Sequence, residues 1–435
     1  MAASALRSRA FKGSAVVGAT LVGTAYYQRV PRSHRDHRTA FSEGAATRAY
    51  RAFVAPAVMC IDPETAHTWG LLAARAWQAL RVLAESPQPA PAALDWLLRP
   101  GCPAEPPTGP ALGQDLFGGR LRFETPFGIA AGFDKNAVLV PLYRLGCIPG
   151  LGFSEVGSVS AQPAAGNPRP RCWRVPSDSA VVNFMGLNNE GSSAIAERLE
   201  GFAAVGRAAP PASGAPFRAP VGVNIAKTHS PSIYGDAAVE DFVVSFRRLA
   251  PHADFVVLNV SCPNTAEGKT FEDPGALREL LGAVAGERAL LPDGARPPVL
   301  VKLHAPPDDE AGREKLRGLV EILGASGIVE GVVVSNTVPD RDVPLSAEGR
   351  RAADGVRGGL SGVPLQERTT AAIRTVYQAT GGRLPIIGVG GVDSAESAYA
   401  KIRAGASLVE LYTGLVYKGP FLFSDMHVGL RRLLE

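Results

Sequence analysis

Asparagine, lysine, glycine and one cysteine recur where this chain leaves a short apolar run. These groups suit a flat polar heterocycle and a phosphate. The segments read A-G-F-D-K (131–135), G-S-V-S (157–160), N-I-A-K (224–227), N-V-S-C-P-N-T (259–265), K-L-H (302–304), S-N-T (335–337), G-V-G-G (388–391) and Y-T-G (412–414). Asparagine offers donors and acceptors to ring nitrogens and carbonyls, and lysine offers a cation. Gly388, Gly390 and Gly391 precede a helix start near Asp393, and Tyr412, Thr413 and Gly414 form a second such loop. Backbone N–H groups in loops of this kind can face phosphate oxygens. A third glycine-rich segment, R-G-G-L-S-G (357–362), adds the hydroxyl of Ser361. No clustered Asp/Glu pair stands out, so glycosidase chemistry has no support. No Ser-His-Asp set is visible either. The five cysteines are scattered and odd in number. With no Cys-x-x-Cys pair, they argue against a disulfide framework or zinc site and fit a reducing compartment.

Positioning these groups requires a regular frame. The chain has 435 residues, 46% apolar and 20% charged, with a net charge of +4. That composition excludes a coiled coil, a disordered acidic protein and a polytopic membrane protein. Much of the basic excess lies in residues 1–38, so no basic face for nucleic acid is indicated. Apolar, β-rich runs recur at 127–131, 153–159, 221–225, 255–260, 299–303, 331–335, 384–389 and 408–412, each followed by a helical stretch. Alternation of strand with helix predicts a parallel sheet, and eight units predict an α/β fold of the (β/α)8 TIM-barrel type, with a doubly wound open sheet as the alternative. In such barrels the C-terminal strand ends build the active site, and the loops after the seventh and eighth strands build the phosphate site.

The N-terminal residues read differently. Residues 1–12 carry Arg7, Arg9 and Lys12, with Ser4 and Ser8 and no acid, the composition of a mitochondrial presequence. Residues 13–28 are uncharged. As a helix they would rise roughly 24 Å, short of a hydrocarbon core about 30 Å thick. Snorkelling of Lys12 and Arg29 could close that gap. The expectation is a presequence and membrane-anchoring helix over 1–30 and a mitochondrial inner-membrane location. A cleaved presequence or a secretory signal are the alternatives. A linker is expected over 31–45, a helical hairpin over 46–85, a Pro/Ala-rich connecting loop over 86–114 and the barrel over 115–435. Asp62 before Pro63 reads as a helix N-cap. Trp69, Ala73, Ala76, Trp77 and Leu80 then fall on one apolar face, which either packs on the barrel or touches a bilayer and a lipophilic substrate.

The chain resembles the dihydroorotate dehydrogenases over roughly residues 46–434. The motifs that carry the resemblance are G-I-A-A-G-F-D-K (128–135), G-N-P-R-P-R (166–171), N-V-S-C-P-N-T (259–265), G-G-L-S-G-V-P-L (358–365), P-I-I-G-V-G-G-V (385–392) and I-R-A-G-A-S-L-V-E-L-Y-T (402–413). The N-terminal anchor and hairpin are similar to those of the membrane-associated, quinone-using branch. The resemblance implies an FMN enzyme that oxidises dihydroorotate to orotate in pyrimidine biosynthesis and is reoxidised by ubiquinone at a lipid bilayer. By motif position it implies Cys262 as the base. Lys135, Asn183, Asn259, Asn264, Asn336 and Thr337 would hold orotate. It implies FMN contacts from Ala130, Ala131, Gly132, Ser158, Asn224, Asn259, Lys302, Ser335, Ser361, Gly362, Gly390, Gly391, Tyr412 and Thr413. Lys302 would stabilise negative charge on the reduced flavin. Arg174, Tyr412 and Phe53 would line the quinone tunnel.

The sequence departs from that branch in three places. Cys262 stands where the membrane branch usually has Ser and the soluble branch has Cys. A thiol ionises near pH 8.5 in model peptides, well below an alcohol, so it can serve as base with less help. Phe53 stands where relatives often have His, and Ala226 where they often have Gly. The competing readings are a soluble-type enzyme using fumarate or NAD, and a non-catalytic barrel acting as a membrane scaffold.

Overall fold

Runs of Val, Ile, Leu and Phe set the strands, and amphipathic helices between them force the strands to lie parallel. The computed structural model describes residues 44–84, 112–202, 205–206, 218–261 and 271–435. Its strands are β1 (Gln114–Leu116), β2 (Leu121–Phe123), β3 (Phe127–Ile129), β4 (Phe153–Val159), β5 (Cys172–Val175), β6 (Ala180–Asn183), β7 (Val221–Ile225), β8 (Phe255–Asn259), β9 (Val299–Leu303), β10 (Val329–Val334), β11 (Gly359–Gly362), β12 (Ile386–Val389) and β13 (Leu408–Leu411). Eight of them close a barrel in the order β3-β4-β7-β8-β9-β10-β12-β13, and every pairing is parallel. The fold is therefore the (β/α)8 barrel expected from the sequence. Each expected strand coincides with an observed one, with ends displaced by a few residues where the polar tail leaves the ladder.

Two small sheets were not legible beforehand. The β1–β2 hairpin brings Phe117, Leu121 and Phe123 against the inward-facing Phe153, Phe255, Val257, Leu300, Val333, Ile387 and Leu408, and so plugs one end of the barrel. The antiparallel sheet β11-β6-β5 is built from two excursions distant in sequence and has its own core of Val175, Ala180, Val182, Val338 and Leu360.

Inside the barrel, glycine makes room for large rings. A Cβ at Gly222 would overlap the ring of Phe255, and one at Gly128 would overlap that of Phe153. Both rings are 0% exposed and cannot swing into solvent. Overpacking of a sealed core typically costs about 1–3 kcal/mol. Gly222→Ala should therefore lose about that much stability in chemical denaturation, and an unchanged midpoint would show that the ring has freedom it lacks here.

The N-terminal residues 44–84 form short helical segments, Ala45–Ala49, a π turn Tyr50–Val54 and Ala55–Met59, followed by the long helix Pro63–Ala84. Asp62 caps that helix as expected, accepting from the backbone N–H of Thr65 at 2.9 Å. Leu71, Ala74 and Trp77 pack on the barrel core. Gln78 accepts from the Leu142 N–H at 3.2 Å. Trp69 and Leu72 point outward at 58% and 56% exposure. The single apolar stripe expected from the sequence is thus divided: Trp77 faces the barrel, while Trp69 faces away. The expected presequence and anchor over 1–30, the linker up to residue 43 and residues 86–111 of the connecting loop expected over 86–114 lie outside the described residues, and β1 begins at the end of that loop, at Gln114. Among the described residues no helix is long and apolar enough to cross a membrane.

Candidate active site

The C-terminal ends of the barrel strands, the β11-β6-β5 sheet and the helix Pro63–Ala84 enclose a cavity of about 490 Å³. At one end its wall is made of glycine loops. Gly390 and Gly391 follow β12 with φ of 111° and 74°, and Gly362 closes β11 with φ of 105°. These are values that side chains rarely adopt. A Cβ on Gly391 would meet Gln366 Cα at 2.5 Å, so the loop packs against the start of the helix Gln366–Thr380 only as bare backbone. The hydroxyls of Ser361 and Thr413 lie 2.9 Å apart beside it. Backbone N–H groups and two hydroxyls make a cradle for an anion such as phosphate, and the one carboxylate near it among the described residues, Asp393, is paired with Lys418 at 2.9 Å.

The opposite end is a network of amides. Asn336 donates to Asn259 Oδ1 at 3.3 Å and to Ser261 Oγ at 3.2 Å. Asn259 donates to Ser158 Oγ at 3.1 Å. The backbone N–H of Thr337 donates to Asn336 Oδ1 at 2.8 Å. Lys135 Nζ reaches Asn188 Oδ1 at 2.6 Å. This fixes which amide edge each asparagine turns to the cavity and leaves a cation beside them, an arrangement suited to a planar ring bearing carbonyls and a carboxylate.

Beneath the cavity lies a buried charge cluster. Lys302, 5% exposed, pairs with Glu155 Oε1 at 3.3 Å, and Asn224 donates to the same oxygen at 2.6 Å. Glu410, on β13, is 0% exposed and lines the cavity floor. Burial above all, and then the charge of Glu155, push its carboxyl well above the usual carboxylate range, against the pull of Lys302. The sequence shows no clustered acid pair, yet the fold brings two acids together here. Glu155 and Glu410 are far apart in sequence and meet only because the barrel closes.

The helix Pro63–Ala84 forms the remaining wall. His67 stacks on Tyr412 at 6.2 Å and meets Phe133 edge-on at 5.2 Å. Burial lowers its pKa, so it presents a neutral ring. Burial likewise pushes the Tyr412 hydroxyl far up, keeping it protonated. Glu64 on this helix accepts from Arg171 at 3.0 Å and pairs with Arg169 at 3.1 Å, which moors the helix to the β5 region.

Most of the site residues expected from the sequence line this one cavity. They are Lys135, Asn183, Asn259, Asn336, Thr337, Ala130, Ala131, Gly132, Ser158, Lys302, Ser335, Ser361, Gly362, Gly390, Gly391, Tyr412 and Thr413. Three of the expected residues are not among those that line the cavity. Asn224 lies below the wall, held by Glu155. Arg174 is turned aside to the carbonyl of Ile61 at 2.6 Å, where it clamps the turn before the long helix. Phe53 sits on the π turn at 71% exposure, outside the cavity, and His67 supplies the aromatic contact to Tyr412 instead. Cys262 and Asn264 lie outside the described residues. Glu64, His67, Asn188 and Glu410 line the cavity and were not anticipated. Their signal, polar residues placed between apolar helix or strand positions, is too common to single them out.

A closed (β/α)8 barrel with an anion cradle after its last strands and a lysine-and-amide pocket beside it defines an enzyme of the phosphate-anchoring barrel class. A family model described as dihydroorotate dehydrogenase matches residues 114–434. A dihydroorotate dehydrogenase (quinone) from Natronomonas pharaonis is 40% identical over 380 residues, covering 87% of this chain and 93% of its own. One from Synechococcus elongatus is 36% identical over 397 residues, covering 89% and 94%. The crystal structure of DHODH in complex with ferulenol from Eimeria tenella matches with a TM-score of 0.69 at 29% identity, over 87% of this chain and 94% of that one. The chain belongs to the dihydroorotate dehydrogenase family.

The mitochondrial inner-membrane location expected from residues 1–30 is corrected. The sequence relatives at about this identity are archaeal and bacterial, from organisms without mitochondria. No described helix is long and apolar enough to cross a membrane.

Proposed function

We propose that this protein is an oxidoreductase that converts dihydroorotate to orotate in pyrimidine biosynthesis, with FMN in the cavity and a quinone as electron acceptor. The observation that carries the reading is the pairing, in one cavity, of a glycine-built anion cradle with a cationic amide pocket, above the buried Lys302. FMN, when bound, supplies the acceptor for the hydride leaving C6 of dihydroorotate. Gly390, Gly391, Ser361 and Thr413 would hold its phosphate, and Lys302 would face its ring. Lys135 pairs with the substrate carboxylate. Asn183, Asn259, Asn264 and Asn336, with Thr337, hold the pyrimidine edge, and the Cys262 thiolate takes the C5 proton. Because Asn259 and Asn336 are already bonded to each other, substrate orientation at these two costs little reorganisation.

Quinone enters past the helix Pro63–Ala84, between His67, Leu71 and Tyr412, which line the cavity wall. Trp69, Leu72, Phe53 and Val54 are exposed apolar side chains of these helical segments, suited to contact with a bilayer surface. On this reading residues 46–85 serve as the access hairpin and 115–435 as the FMN-binding barrel. Cys262 favours the soluble-type alternative, so the acceptor is the point to test. Steady-state assays with dihydroorotate and decylubiquinone, fumarate or NAD in turn should give turnover with the quinone alone. Turnover with fumarate or NAD at a comparable rate would replace the quinone reading.

A further inference from the structure

We propose that Glu410 holds a proton at the floor of the cavity and shares it with Glu155, so that the carboxyl pair carries one negative charge, matched by Lys302. The geometry carries the inference. Both side chains are 0% exposed. The two carboxyl groups lie close enough to interact. Two ionised carboxylates offer only acceptors and repel each other, whereas a carboxylic acid can donate to a carboxylate. Counted as ionised acceptors, both oxygens of Glu410 and Oε2 of Glu155 have no donor within reach among the described residues. A single shared proton satisfies that contact.

The partition between the two acids follows from their surroundings. Glu155 Oε1 receives both available donors, Lys302 Nζ at 3.3 Å and Asn224 Nδ2 at 2.6 Å. Those bonds favour its ionised form. Glu410 receives neither. On the strands beside it, β13 pairs Glu410 with Gly128 of β3 and with Val389 of β12, neither of which titrates. The charged groups facing it are Glu155 from β4 and Lys302 from β9. One cation cannot offset two buried carboxylates, and like charges this close do not both ionise. Burial also raises the Glu410 pKa, in the same direction. The order is therefore Glu410–H, Glu155 carboxylate, Lys302 ammonium, a neutral triad with its lysine at the cavity.

The functional consequence rests on the reading of Lys302 as the residue facing the flavin. A protonated Glu410 leaves the lysine shared with one carboxylate instead of two, and so leaves its field available to negative charge developing on the ring. Glu410 is thus a positioning residue for charge, acting through Lys302.

Infrared difference spectroscopy on the purified protein at about pH 7 tests this, since a carboxylic acid and a carboxylate absorb in separate regions. Wild type minus Glu410→Gln should show one deuterium-sensitive carboxylic-acid carbonyl band, lost in the variant. Glu155→Gln should also lose it, because the remaining Glu410 then ionises beside Lys302. Wild-type and Glu410→Gln spectra without that difference would overturn the proposal, and so would an acid band that survives in Glu155→Gln. Either variant alone decides if the other fails to fold. A colourless protein would contradict the flavin reading and leave this band assignment standing on its own, so the two failures are separable.

Discussion

On the proposed mechanism, replacing Cys262 by alanine should slow reduction of the bound flavin by dihydroorotate about 10²–10⁴-fold, the usual contribution of a positioned base. Stopped-flow absorbance under anaerobic conditions reads this step without the acceptor. The substrate Kd should change far less, because the amides and Lys135 remain. β8 ends at Asn259, and Ser261 is held by Asn336 at 3.2 Å, so the chain leaves the barrel at the amide pocket immediately before Cys262. Wild-type flavin reduction should accelerate as pH rises through the ionisation of the thiol, since only the thiolate accepts the proton. An alanine variant that reduces its flavin at the wild-type rate would remove Cys262 from the chemistry.

Replacing Lys302 by methionine has two separable effects. The carboxyl pair loses its cation, and breaking a buried ion pair on one side costs about 3–5 kcal/mol of stability. Flavin reduction also slows, by about 10²-fold or more, as an electrostatic stabiliser is removed. Adding Glu155→Gln to the Lys302→Met protein should restore most of the stability, because the unpaired charge is gone, but none of the rate. Denaturant midpoints and stopped-flow traces on the single and double variants check both. Equal stability of the two variants would show that Glu155 does not carry the charge assigned to it here.

The strand ends were legible because two independent signals coincide there, an apolar β-rich run and an abrupt polar or glycine-rich stop. Lys135, Asn259, Asn336, Gly390 and Thr413 all stand at such ends. The carboxyl pair was not legible in this way. Glu410 sits inside L-V-E-L-Y-T, where alternation reads it as an outward polar residue between apolar ones. Only barrel closure, which places β13 beside β3 and β3 beside β4, turns it inward toward Glu155. The β11-β6-β5 sheet was hidden for a similar reason: β11 joins the local β5–β6 hairpin from far along the chain, and such a pairing partner is not encoded locally. Motif position does not report that Phe53 stands exposed on a π turn, nor that His67, a turn into the next helix, meets Tyr412. The split stripe on the helix Pro63–Ala84 shows the limit of periodicity. Spacing identifies an apolar surface, while the partner of each face is a tertiary matter.

The most direct measurement is the visible spectrum of the purified protein before and after anaerobic addition of dihydroorotate. A yellow protein that bleaches, yields orotate in equal amount and regains its colour on adding a quinone is the expected result. A colourless protein, or a yellow one that dihydroorotate leaves unchanged, would contradict the assignment of this cavity as the site of dihydroorotate oxidation.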